Sequence, residues 1–407
     1  MMLKCCGSLL SRVTPGGLNM RGAWAQSTDY ALGDGILEGG HIYKVAAGRP
    51  GKSDVNARKP TFPTTPGQTV LDGIGLGLAS SVDVENTGTT YRDFFCAGEC
   101  VAAGHGVLFI PLGNKFYYTT DYGLTWTIRT VPSGLGLTDV FMFDATNFAV
   151  VGNGSNLASY YSSNAGVSWS ARVLNIAGLS YAYSGQGVCV SFTEALITSG
   201  AYCYRTTDQG HTWVQRVALV AASHYPWHLV KTADRLLGVA VGTSELTQVL
   251  LSLDGATLYS TLEKGGSVEV NKRAGCSLNS LQKAFWMRNS STSAHYTSDN
   301  GANWTNRTKP ADFYRWWHAF SPLGAPGLVI VQGNGGTGNQ QYSWARSLDY
   351  GANWEATQWL PATWPSSNGR QPADLSDGVF AFCNRLAASP QDGHILRCAS
   401  LKWECVA

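Results

Sequence analysis

The sequence predicts an all-β protein, a seven-bladed β-propeller of four-stranded blades preceded by a small β-rich module. Three observations support this fold class. The 407 residues include 47 glycines, 14 tryptophans, 18 tyrosines and 14 phenylalanines, a composition that favours strands and tight turns. Charged residues make up only 14% of the chain, well below the roughly 25% of an average soluble protein. One eight-residue phrase recurs about every 45 residues, a period typical of propeller blades.

The recurring phrase has the form Ser/Thr-x-Asp-x-Gly-x-Thr/Ser/Asn-Trp, and each copy is called a box below. Clear copies lie at residues 119–126, 162–169, 206–213, 297–304 and 347–354, and a degenerate copy lies at 252–259. The aromatic residues that end the six copies are separated by 43, 44, 46, 45 and 50 residues. The recurring residues are Asp121, Gly123, Trp126, Asn164, Gly166, Trp169, Asp208, Gly210, Trp213, Asp254, Tyr259, Asp299, Gly301, Trp304, Asp349, Gly351 and Trp354.

Each box is predicted to be the loop of a β-hairpin. Apolar alternating runs flank it, such as 116–118 before the first copy and 126–128 after it. The Asp or Asn side chain can accept backbone N–H bonds in the loop, and Gly supplies a positive φ without steric cost. The aromatic residue can pack beneath the loop. We therefore interpret the box residues as structural, and not as catalytic or metal-binding groups.

Two further apolar runs precede each hairpin, so each unit contains four strands. In the second unit these runs are residues 140–143 and 148–151. Residues 394–405 form a seventh, truncated hairpin, 49 residues after the sixth. Seven units predict seven blades stacked around one axis, and six blades fit if the truncated unit merely completes another blade.

The box resembles the Asp-box, or BNR, repeat of sialidase-like propellers. The resemblance covers roughly residues 90–407 and implies a propeller fold. It carries little information about activity, because many propellers with this box are not enzymes.

Residues 22–73 have a different character, with Trp24 near the start, a Gly-Asp turn, a short Ile-Tyr strand, a Pro-flanked Phe and a closing Asp-Gly turn. This pattern resembles the small chitin-binding-like modules common in bacteriophage tail and fibre proteins. The resemblance implies that Trp24, Tyr30 and Tyr43 stack on sugar rings; alternatively, they fill the core of the module or its interface with a neighbour. The expected organisation is an arm at 1–21, the module at 22–73, a linker at 74–90 and the propeller at 91–407.

Composition argues against several other classes of protein. A net charge of +2 does not favour nucleic-acid binding driven by phosphate neutralisation, and no apolar run reaches the length of a membrane span. The N-terminal twenty residues lack the continuous apolar core of a secretory signal. None of the ten cysteines forms a CxxC pair or a Cys/His zinc spacing, so neither a metal nor another cofactor is expected.

No catalytic residue is predicted. A retaining sialidase needs an arginine trio, a Tyr–Glu pair and an acid, but the run Phe109-Ile-Pro111 lacks the preceding Arg. Three arginines recur on the third strands of units three, six and seven, and they are either an inward-facing set or ordinary salt-bridged strand residues. Three glutamates lie in loop-like stretches without a pairing Tyr. These residues are Arg205, Arg346, Arg397, Glu194, Glu245 and Glu269.

The sequence-based hypothesis is a structural protein of a tailed-bacteriophage virion, assembled in the host cytoplasm. The favoured position is the tail, as a fibre or receptor-binding subunit or as a tail-tube or nozzle subunit, and a head-surface decoration is the alternative position. Its expected partners are other virion proteins in a symmetric assembly and a host cell-surface glycan. The alternatives are a sialidase-like glycoside hydrolase and a non-viral propeller acting in adhesion or assembly.

Overall fold

The computed structural model describes 28 ranges of the chain. They are residues 18–26, 28–46, 51–52, 59–72, 78–85, 96–100, 102–109, 113–132, 134–153, 157–172, 187–199, 202–218, 225–231, 235–241, 245–252, 258–265, 275–277, 283–287, 293–299, 302–311, 313–321, 327–335, 341–355, 358–359, 373–376, 379–385, 392–399 and 401–406. Every regular element in these ranges is a β-strand, and none of the described residues is helical. The all-β prediction is therefore confirmed. Two compact units divide the chain: a terminal unit (Met1–Ser80 with Arg397–Ala407) and a repeat unit (Ser81–Leu396).

The terminal unit contains strands from both ends of the chain. They are β1 (Asn19–Met20), β2 (Asp29–Tyr30), β3 (Asp34–Glu38), β4 (His41–Val45), β5 (Gly51–Lys52), β6 (Thr69–Asp72) and β35 (Leu401–Cys405). Five of them form a sheet in the order β1-β3-β4-β35-β6, and β2 pairs with β5. Gly39 and Gly40 form the two-residue loop of the β3–β4 hairpin, both with positive φ, which suits a tight hairpin turn.

The first part of the repeat unit is an eight-stranded sheet. Its order is β11-β10-β9-β8-β12-β13-β14-β15, and the parallel pair β8–β12 joins its two halves. These strands are β8 (Cys96–Cys100), β9 (Gly106–Phe109), β10 (Lys115–Thr119), β11 (Thr127–Thr130), β12 (Gly136–Met142), β13 (Phe148–Asn153), β14 (Leu157–Ser162) and β15 (Ser170–Arg172).

Four four-stranded sheets follow among the described residues, each with its strands in chain order. The first two contain β16 (Val188–Cys189), β17 (Ala195–Ser199), β18 (Tyr202–Thr206), β19 (Val214–Ala218), β20 (Tyr225–Lys231), β21 (Arg235–Val241), β22 (Glu245–Ser252) and β23 (Leu258–Gly265). The next two contain β24 (Gly275–Ser277), β25 (Ala284–Met287), β26 (Ser293–Thr297), β27 (Thr305–Thr308), β28 (Phe313–Phe320), β29 (Val329–Gly335), β30 (Gln341–Ser347) and β31 (Gln358–Trp359).

The last sheet combines late strands with an early one. It has the order β32-β33-β34-β7, from β32 (Ala373–Asp374), β33 (Val379–Arg385), β34 (Asp392–Ala399) and β7 (Leu78–Glu85). The stretch expected to be a linker, 74–90, thus contains a sheet strand. Residues 394–405 do not form the expected hairpin, because β34 and β35 belong to different sheets.

Strands in the middle of the repeat unit bury both faces, which explains their continuous apolar runs. In β13, Phe148 and Val150 belong to one buried cluster, while Ala149 and Val151 belong to the next. Successive side chains of a strand point to opposite faces, so β13 packs against a neighbouring repeat on each side. Apolar residues at every position are the expected result.

Candidate functional site

The box loops of the repeat unit are closed by hydrogen bonds between their own polar groups, and Asp121 is the centre of the first one. Its Oδ1 accepts hydrogen bonds from Thr119 Oγ1 at 2.7 Å and from the Thr125 N–H at 3.0 Å, and its Oδ2 accepts one from Thr125 Oγ1 at 2.6 Å. Thr119 Oγ1 in turn accepts the Gly123 N–H at 2.9 Å. The network holds the loop closed with its own side chains.

The same bonds recur in the other described boxes. A carboxylate accepts both a backbone N–H and a side-chain donor four residues later in the copies at Asp208, Asp299 and Asp349. The copy at Asn164 uses an amide: its Oδ1 accepts the Ser168 N–H at 2.9 Å, and its Nδ2 donates to Ser168 Oγ at 2.8 Å. Geometry, and not the negative charge, is what the loops share.

Hydrogen bonding lowers the pKa of these carboxyl groups. Burial by itself raises the pKa of Asp121, but the hydrogen bonds from Thr125 and Thr119 outweigh it. The same balance holds the pKa values of Asp208, Asp299 and Asp349 below the ordinary value. Each group is ionised at neutral pH and already accepts bonds from its own loop, which is the behaviour of a structural acceptor.

In four of the boxes, a backbone hydrogen bond joins the box loop to a second loop of the same sheet. Tyr122 and Gly123 both have positive φ, 58° and 75°, which turns the Tyr122 N–H towards the Gly104 carbonyl at 2.8 Å. Gly104 lies between the first and second strands of that sheet. The equivalent bonds are Ala165 to Thr146, Gln209 to Thr193 and Tyr350 to Gly327. In each of these four repeats, the two loops therefore form one braced edge of the sheet. These edges are together called the box edge below.

The box tryptophans contact the preceding repeat as well as their own loop. Trp169 Nε1 donates to the Thr130 carbonyl at 3.1 Å, and its ring lies 6.1 Å from that of Phe116. Trp354 does the same with Thr308 at 2.7 Å and with Phe285 at 6.1 Å. Packing beneath its own loop is thus only part of the role of this residue. It also packs against the preceding repeat and donates a hydrogen bond to it.

Gly210 and Gly351 are required by this contact between repeats as well as by their positive φ. A Cβ on Gly210 would lie 2.5 Å from the Ala149 Cβ, and one on Gly351 would lie 2.5 Å from Phe285 Cε2. Both neighbours belong to the preceding repeat. Any larger residue here would force the repeats apart.

An arginine three residues after the box tryptophan links neighbouring repeats, and it lies outside the eight-residue box. Arg129 Nε donates to the Ala165 carbonyl in the next box at 2.7 Å, and the guanidinium lies 5.4 Å from the Tyr118 ring centre. Arg307 Nε donates to the Tyr350 carbonyl at 3.3 Å in the same way. The signal was available as a Trp-x-x-Arg extension of four boxes, at Arg129, Arg172, Arg216 and Arg307.

Other box residues are described only in part. Trp126 Nε1 donates to the Gly123 carbonyl at 3.2 Å, and Trp304 is half-buried. Asp254 and Gly301 lie outside the described residues, and for Tyr259 only the backbone is described.

The three aromatic residues proposed to bind glycans belong to the core of the terminal unit. Tyr30 is 3% exposed and Tyr43 is 1% exposed; the Tyr43 hydroxyl donates to the Pro63 carbonyl at 2.8 Å. Trp24 packs against the same cluster, and its Nε1 donates to Asp72 Oδ2 at 2.7 Å. Stacking on a sugar needs an exposed ring face, which Tyr30 and Tyr43 lack here. Trp24 is partly exposed.

Two of the recurring arginines are ion-paired within their own sheets. Arg205 Nη2 lies 2.8 Å from Glu194 Oε2, and Arg346 Nε lies 2.6 Å from Glu355 Oε2, with Arg346 only 1% exposed. These pairs match the salt-bridged alternative for strand arginines. The side chains of Arg397 and Glu245, and all of Glu269, lie outside the described part of the chain.

In the described ranges, no three His, Cys, Asp or Glu side chains come close enough to hold a metal ion. The same ranges contain no helix with the length and apolarity to span a bilayer. Burial raises the pKa of the Cys203 thiol to about 12, consistent with a cysteine that acts as a small apolar residue.

Large apolar side chains project from the braced loops into solvent. Leu124 and Val167 occupy the same box position in adjacent repeats and are 55% and 70% exposed. Phe192 is 55% exposed on the loop that Gln209 binds through both its N–H and its Nε2. The residue after each box Gly varies between the copies, and this variation is the sequence signal for an exposed position.

Comparison with known proteins identifies the fold as a β-propeller. No protein-family model matches the chain, and neither does any curated protein. The solved structure titled YCF48 bound to D1 peptide is similar at a TM-score of 0.54 and 16% identity, over 84% of this chain and 97% of that one. A catalytically inactive virginiamycin B lyase from Staphylococcus aureus with quinupristin is similar at 0.53 and 12%, over 78% and 99%. At these identities the similarity establishes the fold alone.

Proposed function

We propose that this chain is a docking protein of a larger assembly, and that its box edge contacts a neighbouring protein. The observation that carries the proposal is the exposure of Leu124, Val167 and Phe192 on loops that side-chain and backbone bonds hold rigid. Exposed apolar side chains on a rigid frame lose little conformational entropy on binding. Such a surface suits a protein partner better than a small polar substrate.

We propose seven four-stranded blades. The two halves of the eight-stranded sheet count as two blades, the four following sheets as four, and β32-β33-β34-β7 as the seventh. In that arrangement β7 closes the ring as the outer strand of the last blade. Closure by an early strand is a common way to remove the free edges of a propeller.

The proposed setting is the tail of a bacteriophage particle, with other virion proteins as partners and assembly in the host cytoplasm. The support is the resemblance of the N-terminal pattern to modules of tail and fibre proteins. A host-surface glycan is a second proposed ligand, for which Trp24 is the remaining candidate among the three aromatic residues. A non-viral assembly factor would use the same box edge in a different setting.

The fold itself does not decide between binding and catalysis. Of the similar solved structures, one carries a bound peptide by its title and another is a lyase. The residues of this chain favour binding: Arg205 and Arg346 are held by carboxylates of their own sheets. A substrate carboxylate would have to displace those carboxylates.

Substitution of the exposed apolar residues tests the docking role. We expect the double variant Leu124→Glu/Val167→Glu to fold normally but to be lost from purified particles of the source virus. The matched control is Leu32→Glu, which changes a similarly exposed residue, 57% exposed, in the terminal unit and outside the box loops. Normal incorporation of the double variant would overturn the box edge as the docking surface. Absence of the wild-type chain from particles would overturn the virion setting.

A further inference from the structure

Three side chains lie in one row across the first repeat, on the face that meets the second repeat. Phe116 on β10 is paired with Phe109 on β9 and with Arg129 on β11. Both phenyl rings are fully buried, and the Phe116 ring packs edge-on against Trp169 of the next box. The row is therefore apolar up to its arginine, and the arginine Nε is bonded to the Ala165 carbonyl.

The same row of the second repeat has smaller side chains and a less fully bonded arginine. Ser159 on β14 is paired with Val151 on β13 and with Arg172 on β15. Ser159 is fully buried, and its hydroxyl has no hydrogen-bond partner among the described residues. The buried Nε of Arg172 also lacks one there, and its Nη1 reaches only the carbonyl of adjacent Ala171, at 3.5 Å. Because Val and Ser are smaller than two Phe side chains, this row has room for a small ligand.

The box tryptophan of the third repeat packs on the same face of the second repeat. Trp213 belongs to one buried cluster with Ala149 and Val151. It is only 9% exposed, and its Nε1 has no partner in the described part of the chain, whereas Trp169 and Trp354 each donate to the preceding repeat. A single seam between repeats thus contains three buried polar groups without a described partner. Such groups are costly to bury unless a water or an ion pairs with them.

The chemistry of these three groups favours an anion over a water. Two of them are N–H donors, the third is a hydroxyl that can donate, and the guanidinium carries a permanent positive charge. Arg205 and Arg346 pair with carboxylates of their own sheets, but Arg172 takes part in no ion pair among the described residues. Its guanidinium lies instead over the Tyr161 ring, 5.8 Å from the centre. A water would satisfy the donors, whereas an anion would also balance the partly buried charge.

We propose that the seam between the second and third repeats binds one small monovalent anion, chloride or a small carboxylate, through Ser159, Arg172 and Trp213. The anion accepts hydrogen bonds from the hydroxyl, the Nε–H and the indole N–H, and so links the two repeats. Directly opposed residues on antiparallel strands have Cβ atoms about 4.5–5.5 Å apart, which lets Ser159 and Arg172 reach the same ion. The inference goes beyond the docking role of the box edge and does not depend on it.

Thermal unfolding of the full-length chain in matched salts tests the proposal. Sodium gluconate, whose anion is too large for the site, is replaced stepwise by sodium chloride or sodium acetate at constant ionic strength. An anion that binds only the folded state stabilises it, so we expect a saturable rise in Tm of about 2–5 °C with at least one small anion. The salt that gives the rise identifies the ligand as chloride or a carboxylate. The same Tm in all three salts would overturn the proposal and indicate an ordered water.

Matched variants assign the response to this seam. Arg172→Gln should abolish the rise in Tm, and Ser159→Ala should raise the half-saturating anion concentration about threefold to tenfold. Arg129→Gln is the control, because Arg129 has the same position in the first repeat and is already bonded to Ala165. It should lower Tm in every salt but keep the rise. A rise that persists in Arg172→Gln, or that disappears in Arg129→Gln as well, would overturn the proposal. If Arg172→Gln does not fold, an unchanged half-saturating concentration in Ser159→Ala overturns it.

Discussion

Trp403 and Asp72 are joined by a hydrogen bond from the indole Nε1–H to Oδ2 at 3.0 Å, although 331 residues separate them. Asp72 also accepts the indole N–H of Trp24 at 2.7 Å. One buried carboxylate thus collects donors from both ends of the chain. The N-terminal module is therefore completed by the C-terminal strand, and it is not the self-contained segment 22–73 that the sequence suggested.

Removal of the Trp403 side chain is expected to destabilise the terminal unit selectively. Trp403→Ala should cost about 3–5 kcal/mol, because it creates a cavity and removes a bond to buried Asp72. Hydrogen exchange of residues 34–45 should accelerate, while the repeat unit keeps its protection. Leu37→Ala, an exposed position on β3, is the control and should change little. Unchanged exchange in Trp403→Ala would contradict this account of the core.

An amide is expected to substitute for a box carboxylate with little loss of stability, whereas a methyl group is not. Asp208→Ala removes the acceptor for the Thr212 N–H and hydroxyl and should lower the free energy of unfolding by about 1–3 kcal/mol. Asp208→Asn should cost less, because Asn164 makes the equivalent bonds in another box. Urea unfolding measures both. Equal losses for the two variants would mean that charge, and not geometry, holds the loop.

The repeat unit is expected to lose stability in acid through its box carboxylates. The pKa values of Asp121 and Asp349 are below 3.8 in the folded protein, so ionisation favours the folded state. This contribution is complete well above pH 3.8 and decreases as the pH falls below that value through the folded pKa. Thermal unfolding between pH 6 and pH 2.5 measures it. The double variant Asp121→Asn/Asp349→Asn should show a flatter profile than wild type; identical profiles would refute the assignment.

Two glycines with the same backbone conformation should respond differently to alanine. Gly210 and Gly134 have φ values of +84° and +83°, so both substitutions incur a strain of about 1–2 kcal/mol. Only at Gly210 would the new Cβ meet a neighbour, Ala149 at 2.5 Å. Gly210→Ala should therefore cost about 1–3 kcal/mol more. Similar unfolding free energies for the two variants would show that the repeats are not in close contact here.

A matched pair of arginines isolates one bond between repeats. Arg129 donates from Nε to the Ala165 carbonyl, whereas the buried Nε of Arg172 has no hydrogen-bond partner among the described residues. Both guanidinium groups lie over a tyrosine ring. Arg129→Ala should destabilise the protein by about 1.5–3 kcal/mol more than Arg172→Ala, the usual range for a bond with a charged partner. Equal free energies of unfolding for the two variants in urea would show that this bond does not stabilise the protein.

The local features of the fold could be read from the sequence because each depends on a few adjacent residues. The box at 119–126 contains its own acceptor, its own donors and the glycine that turns the chain. The same holds for the apolar runs that become β10 and β13. The period of about 45 residues then indicated stacked β units, and the β-propeller fold agrees with it.

Contacts between distant parts of the chain were decided only by the tertiary structure. The truncated repeat at 394–405 resembles another hairpin, yet β34 and β35 enter different sheets. Strand pairing is made by backbone groups that every sequence carries, so the partner of a strand is set by which edges are free and which pockets fit its side chains. The buried indole of Trp403 and the carboxylate of Asp72 provide that fit, and no local pattern in the sequence reveals it.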